Sequence, residues 1–203
     1  YDPFCGSGTM LIESAMHAMR IAPGLRRRFA AEKWDWLPQT VWQLERQRAF
    51  DLIKRDATFR AYGSDIDPAA VELAQYNAKQ AGVGTRIEIV QRDVKDFYMP
   101  DEKGVVICNP PYGERLLDLK TAQEIYETMG KVFSQGYPHR YYIISPDMEF
   151  EKSFGRMADK RRKLYNGMIP CQLYMYFKEE QKKAPKPSRT KPYPDRRDHR
   201  IKK

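Results

Sequence analysis

Asn109-Pro110-Pro111-Tyr112 follows the apolar run Val105-Val106-Ile107-Cys108, and its residue types suit the handling of an amine. Two prolines fix the backbone and leave the Pro110 carbonyl without a ladder partner. The Asn109 amide oxygen stands beside it as a second acceptor. Two converging acceptors fit an –NH₂ group, and Tyr112 adds an aromatic face on which a planar base or amide can stack. Three further motifs precede it in order. Asp2-Pro3-Phe4-Cys5-Gly6-Ser7-Gly8-Thr9 has two glycines at a strand-to-helix turn, where the backbone can approach a ligand and a helix N-terminus offers free N–H groups. A dinucleotide fingerprint needs a third glycine, and Leu11 holds that place. Asp65-Ile66-Asp67 supplies carboxylates at a strand end. Asp65 is the better ligand for two ribose hydroxyls, because Asp67 precedes Pro68 as a helix cap. At Asp93-Val94 a side chain and a backbone N–H could read an adenine edge.

These turns need strands before them and helices after them. Leu11, Ile12, Ala15, Met16 and Met19 recur at helical spacing, which predicts a helix over 10–20. Residues 40–55 read as helical, and the segment 21–60 holds all three tryptophans, Trp34, Trp36 and Trp42. Tryptophans there could stack on bases; packing against the body of the domain is the favoured role. Tyr62–Ile66 reads as a buried strand end, followed by a helix that Gly82 closes. Its inner face is Ala70, Val71, Ala74, Ala78 and Ala81. Arg86–Val90 alternates as a strand. The run 105–108 reads as a strand buried on both faces. A long helix carries Ala122, Ile125, Tyr126, Met129, Val132 and Phe133 on one stripe, and 141–144 is a further strand. Asn166-Gly167 joins 163–165 to 169–177 as a tight hairpin, with Cys171, Leu173, Met175 and Phe177 on one face. The fold class is α/β: a Rossmann-like, doubly wound, mostly parallel sheet with a C-terminal antiparallel hairpin and a truncated first strand.

Charge divides the chain. Of the net +9 over 203 residues, +8 lies in 182–203, where ten basic residues face Asp195 and Asp198. With Pro185, Pro187, Pro192 and Pro194 and few apolar residues, that stretch should not pack. It reads as a solubilising tail or as an arm gripping nucleic acid, so the expected units are a catalytic domain over 1–179 and a basic, disordered tail over 180–203. The chain opens at Tyr1 directly on its glycine turn, which predicts a C-terminal piece of a longer protein. No apolar run approaches the ~20 residues of a membrane span. Cys5, Cys108 and Cys171 are odd in number and widely spaced, which favours a reducing cytoplasm over a disulfide framework. Cys5 and Cys108 read as packing residues, since an amine reaction needs no covalent enzyme intermediate. His17, His139 and His199 share no metal-ligand spacing, so no metal is expected. No pattern sets an oligomeric state.

The four motifs together resemble class I S-adenosylmethionine-dependent amino-methyltransferases. Ile21-Ala22-Pro23-Gly24 and Lys160-Arg161-Arg162-Lys163-Leu164-Tyr165-Asn166-Gly167 are similar to segments of the bacterial large-subunit ribosomal RNA guanine-N2 methyltransferases. Members of that group are often labelled N6-adenine-specific DNA methylases, and carry an RNA-binding THUMP domain before the catalytic one. The resemblance covers roughly residues 1–178 and implies the class I methyltransferase fold. It implies that S-adenosylmethionine is the cofactor, that S-adenosylhomocysteine is the product, and that RNA, ribosomal RNA in particular, is the partner. It places Asp2, Gly6 and Gly8 at the methionine half of the cofactor, Asp65 at the ribose, Ile66 against the adenine, and Asp93 with Val94 at the adenine edge. Asn109 and Pro110 would accept from the target amine and Tyr112 would stack on the base. Adenine-N6 methylation of DNA, glutamine-N5 methylation of a protein and an inactive RNA-binding module remain open alternatives.

Overall fold

The structure is a computed structural model that describes residues 1–99, 104–112, 119–135 and 140–177. Helix α1 (Thr9–Ala18) starts from left-handed Gly8 and buries Leu11, Ile12 and Ala15. An excursion follows, with a 3₁₀ turn at Ala30–Lys33 and helix α2 (Gln39–Asp51), which buries none of its residues. Strand β1 (Ala61–Asp65) leads to α3 (Pro68–Gln80), where Asp67 caps the Ala69 N–H at 2.9 Å and Pro68 takes the first turn. Strand β2 (Ile87–Gln91) runs parallel to β1.

Strand β3 (Val105–Cys108) pairs in parallel with β4 (Arg140–Ser145), with α4 (Leu119–Phe133) between them in sequence. After the short helix α5 (Phe150–Phe154), strands β5 (Lys160–Asn166) and β6 (Ile169–Tyr176) form an antiparallel hairpin, and β6 inserts antiparallel beside β4. Gly167 has φ +61°, which the Asn-Gly turn demands.

Tyr1 and Asp2 join the two halves. Asp2 exchanges bonds with Tyr62 and Ser64 at 2.9 Å each, while Tyr1 bonds Val105 and Ile107 at 2.8 and 3.0 Å. The strand order is therefore β2-β1-(Tyr1, Asp2)-β3-β4-β6-β5, the doubly wound sheet with a terminal hairpin that the sequence predicts. One core lies between α1, α3 and β1–β2; the other gathers Phe133, Tyr141, Phe150, Phe154, Tyr174 and Tyr176 under α4 and α5.

Two expectations need correction, and one element is additional. Strand β3 is not buried on both faces: Val106 and Cys108 are buried in one core with α4, but Val105 and Ile107 are 41% and 37% exposed, because on that face they line an open cleft with Met10, Leu11 and Ser14 of α1. Trp34 and Trp36 do not pack against the domain; they stack on each other at 5.4 Å and are 51% and 74% exposed. Only Trp42, stacked on Phe29, is largely covered. Helix α5 was not expected, since five residues are too few to show a period. The predicted tail, His139 and His199 lie outside the described residues.

Candidate active site

All parallel strands end on the same edge of a sheet, and loops leaving that edge where the strand order reverses form the usual ligand crevice. Here the edge collects the Asp2–Gly8 turn, Asp65 at the end of β1, Asp93 after β2, Asn109 after β3 and Asp147 after β4.

The first turn has a demanding geometry. Gly6 and Gly8 lie at φ +50° and +81°, where a side chain is strained. A Cβ on Gly6 would meet nothing within 4 Å, which leaves open space on the edge. A Cβ on Gly8 would stand 3.1 Å from that of Ala74, so this glycine lets α1 and α3 approach. The third glycine of a dinucleotide turn has an equivalent on the strand rather than the helix. Leu11 packs over Gly63 of β1, where a Cβ would overlap its side chain.

Asp65 ties two turns together. Its Oδ2 accepts the Gly6 N–H at 2.9 Å and its Oδ1 accepts the Asp67 N–H at 3.1 Å. It therefore has a structural duty that the sequence does not reveal, yet each oxygen keeps a lone pair for a ribose hydroxyl. Ile66 is 65% exposed beside it. Asp2 is buried and accepts the Phe4 N–H at 3.1 Å. Burial pushes its carboxyl up to about 7, with the Phe4 bond pulling down and the Asp65 charge adding to the rise. Asp93 accepts the Lys95 N–H at 3.0 Å, which holds its carboxyl below the ordinary value, and its carboxylate also meets Lys95 Nζ at 3.3 Å. The Val94 side chain is buried in the core, which leaves only its backbone available to an adenine edge. The buried carboxylate of Asp2, the open cradle at Gly6 and the free lone pairs of Asp65 fit a cationic nucleoside.

At the end of β3, Pro110 is fully buried and Asn109 Oδ1 is buried with no hydrogen-bond partner among the described residues. An unpaired acceptor of this kind costs ~1–3 kcal/mol unless a ligand donor satisfies it. Tyr126 Oη donates to the Pro111 carbonyl at 3.2 Å and holds the turn from below. Asn166 Nδ2 donates to Tyr112 Oη at 2.6 Å, so the tip of the β5–β6 hairpin steadies the ring. The sequence marks Asn166 as a turn residue and as part of the resembling segment, and Tyr126 as a packing residue, and it gives Ser145 and Asp147 no role. Nothing in their spacing marks them, because the contacts join distant segments. Cys5 and Cys108 are buried, and burial raises both thiols, Cys5 to about 12, which suits packing rather than attack. Among the described residues no group of three His, Cys, Asp or Glu side chains could hold a metal ion, and no helix is long and apolar enough to cross a membrane.

Known proteins resemble this chain over most of its length. Residues 1–175 match the family UPF0020, described as RMKL-like, methyltransferase domain. YpsC of Bacillus subtilis (strain 168), named as a candidate RNA methyltransferase, is 40% identical over 176 residues, which are 87% of this chain and 46% of YpsC. Ribosomal RNA large subunit methyltransferase K/L of Shewanella amazonensis is 41% identical over 180 residues, 86% of this chain and 25% of that protein. The chain therefore spans about half, or a quarter, of the curated relatives it matches. Among solved structures, the candidate methyltransferase SMU.472 complexed with S-adenosylhomocysteine is 41% identical, with TM-score 0.84 over 88% of this chain and 47% of the other. A protein of Listeria monocytogenes str. 4b F2365, named a predicted N6-adenine-specific DNA methylase, is 44% identical, with TM-score 0.80 over 87% and 45%. A family match over most of the chain and close structural relatives at this identity lead to one conclusion: the chain belongs to the RMKL-like methyltransferase domain family and has the class I methyltransferase fold.

Proposed function

We infer that this domain transfers a methyl group from S-adenosylmethionine to an exocyclic amine of a nucleobase in RNA, namely N2 of a guanine in large-subunit ribosomal RNA, in the cytoplasm. The observation that carries the reading is Asn109 Oδ1, a buried acceptor without a partner among the described residues, beside Pro110 and Tyr112. When bound, the cofactor supplies an electrophilic methyl on a sulfonium. Asp2, Gly6, Gly8, Asp65, Ile66, Asp93 and the Val94 backbone are the residues that would hold it.

The chain's own part is to make a poor nucleophile competent. An exocyclic amine delocalises its lone pair into the ring. Accepting its two N–H bonds at Asn109 Oδ1 and the Pro110 carbonyl draws the nitrogen toward tetrahedral geometry and localises that pair. The N–C bond then forms as the S–C bond breaks, and the nitrogen gives up one proton to water. Positioning and preorganised acceptors do the work, with no general base required. Tyr112, steadied by Asn166, offers a stacking face that offsets part of the ~few kcal/mol needed to extrude a paired base.

Labelled-methyl transfer by the intact protein to unmodified ribosomal RNA, DNA and a release factor in parallel tests this reading, with nucleoside analysis naming base and atom. RNA labelled at guanine N2 is expected. Label confined to DNA would favour the adenine-N6 alternative, which the name of the Listeria relative also suggests. Label confined to the release factor would favour the glutamine-N5 alternative. Asn109→Ala should remove transfer while the cofactor dissociation constant stays within about threefold.

A further inference from the structure

One strand over from Asn109, the edge holds a second buried acceptor without a partner among the described residues. Asp147 Oδ1 accepts the Glu149 N–H at 2.8 Å, which serves the turn into α5. Its other oxygen, Oδ2, is buried and has no hydrogen-bond partner there. Capping thus accounts for half of the carboxylate only. Groups buried this way in native proteins call for a ligand, a water or a functional role.

A hydrogen-bonded chain links Asp147 to the amine-handling turn. Its N–H donates to Ser145 Oγ at 3.1 Å, Ser145 Oγ donates to Tyr126 Oη at 3.2 Å, and Tyr126 Oη donates to the Pro111 carbonyl at 3.2 Å. Tyr174 Oη fixes the Asp147 carbonyl at 2.8 Å. Asp147 and Tyr112 both stand near enough to Tyr126 to act on its phenol electrostatically. The two orphan acceptors therefore sit on one rigid rim, at the ends of neighbouring parallel strands.

We propose that Asp147 Oδ2 and Asn109 Oδ1 together read the paired donors of a guanine amino edge, N1–H and N2–H. This rests on the amino-methylation reading above and adds to it the choice of base. Each exocyclic amine of a nucleobase has a ring nitrogen beside it. In guanine the amine lies between N1, which carries a hydrogen, and N3, which does not; in adenine and cytosine the one ring nitrogen beside it is a bare acceptor. A carboxylate on the N1 side of the amine bonds guanine and repels the lone pair of the other two bases. Buried sites built to accept a donor reject analogues that lack it strongly, because their own polar group is then left unpaired.

Asp147→Asn keeps an Oδ1 acceptor for the Glu149 cap and can donate to a ring nitrogen. With in vitro transcribed large-subunit ribosomal RNA and labelled cofactor, it should form N2-methylguanosine at least about tenfold more slowly than the wild type. N6-methyladenosine should rise as a share of product, with cofactor affinity and melting temperature close to wild type. A second readout needs no turnover: wild type should bind guanosine monophosphate better than adenosine monophosphate, and Asp147→Asn should narrow that preference. Unchanged N2-methylguanosine formation by Asp147→Asn overturns the role of Asp147 and leaves the amine site standing. Wild-type product that is N6-methyladenosine overturns both. No transfer to RNA by the wild type, with a guanosine monophosphate preference that Asp147→Asn abolishes, overturns the function and upholds Asp147. Absence of that preference in the wild type overturns Asp147.

Discussion

Asn109 and Tyr112 show how little of a site need be exposed to be poised. The amide oxygen is left without a donor among the described residues, and the ring is held by Asn166 across 54 residues of sequence. If Tyr112 must be held to stack on a base, Asn166→Ala should lower kcat about tenfold with cofactor affinity unchanged. In a Tyr112→Phe background the same substitution should add nothing, and a double-mutant cycle of single-turnover rates checks this. Asp2 gives a pH signature. Its folded carboxyl titrates near 7 and its ordinary value is 3.8, so the folded protein holds the proton more tightly. Its contribution to stability is therefore fully present below the ordinary value and is lost as pH rises through about 7. A cationic cofactor favours the ionised form, so its affinity should rise as pH passes through that value. Calorimetric titration should show the rise in the wild type and a flat profile in Asp2→Asn.

Among the elements, contacts between backbones rather than side chains decide which glycines matter. Gly130 lies inside α4, where helix propensity alone would prefer alanine. A Cβ there would overlap the Phe154 carbonyl oxygen of α5, a backbone atom that cannot swing away. Gly130→Ala should cost more than about 2 kcal/mol, against about 1 kcal/mol for Gly63→Ala, where the tip of Leu11 can move. Thermal unfolding of the two variants would rank them, and the reverse order would contradict this packing. The hairpin hangs on a similar anchor. Glu151 of α5 is buried, pairs with Arg161 of β5 and accepts the Ala158 N–H at 2.8 Å. The Arg161 guanidinium also lies over the Tyr174 ring. This pins the strand whose far end presents Asn166 to Tyr112.

At the scale of the molecule, the charge has a finer distribution than its sum suggests. Residues 20–60 carry ten basic and five acidic residues, net +5, while 1–19 and 61–181 together carry a net −4. The near-neutral body is thus a basic excursion set on an acidic sheet domain. That excursion also bears the exposed Trp34–Trp36 stack. If it and the segment 182–203 contact RNA, removing 182–203 should weaken binding and flatten its dependence on salt. Replacing Arg26, Arg27 and Arg28 by alanine should flatten it further, by about 0.7 in the logarithmic slope for each phosphate those side chains neutralise. Filter binding across a salt series checks both, and parallel slopes would make these clusters solvated surface.

How much was legible follows from the range of the interactions concerned. Turn chemistry is local, so Gly6, Gly8, Asp67-Pro68 and Asn166-Gly167 announced their conformations, and periodicity announced α1, α3, α4 and the strands. Residue type alone pointed to an amine at Asn109-Pro110-Pro111-Tyr112. The sequence could not show that Asp65 bonds Gly6, that Leu11 needs a glycine on the strand below it, or that β3 leaves one face partly open. Nor could it bring Asp147 to the rim beside Asn109. Each of those depends on which segments the sheet order makes neighbours, and tertiary packing alone sets that order.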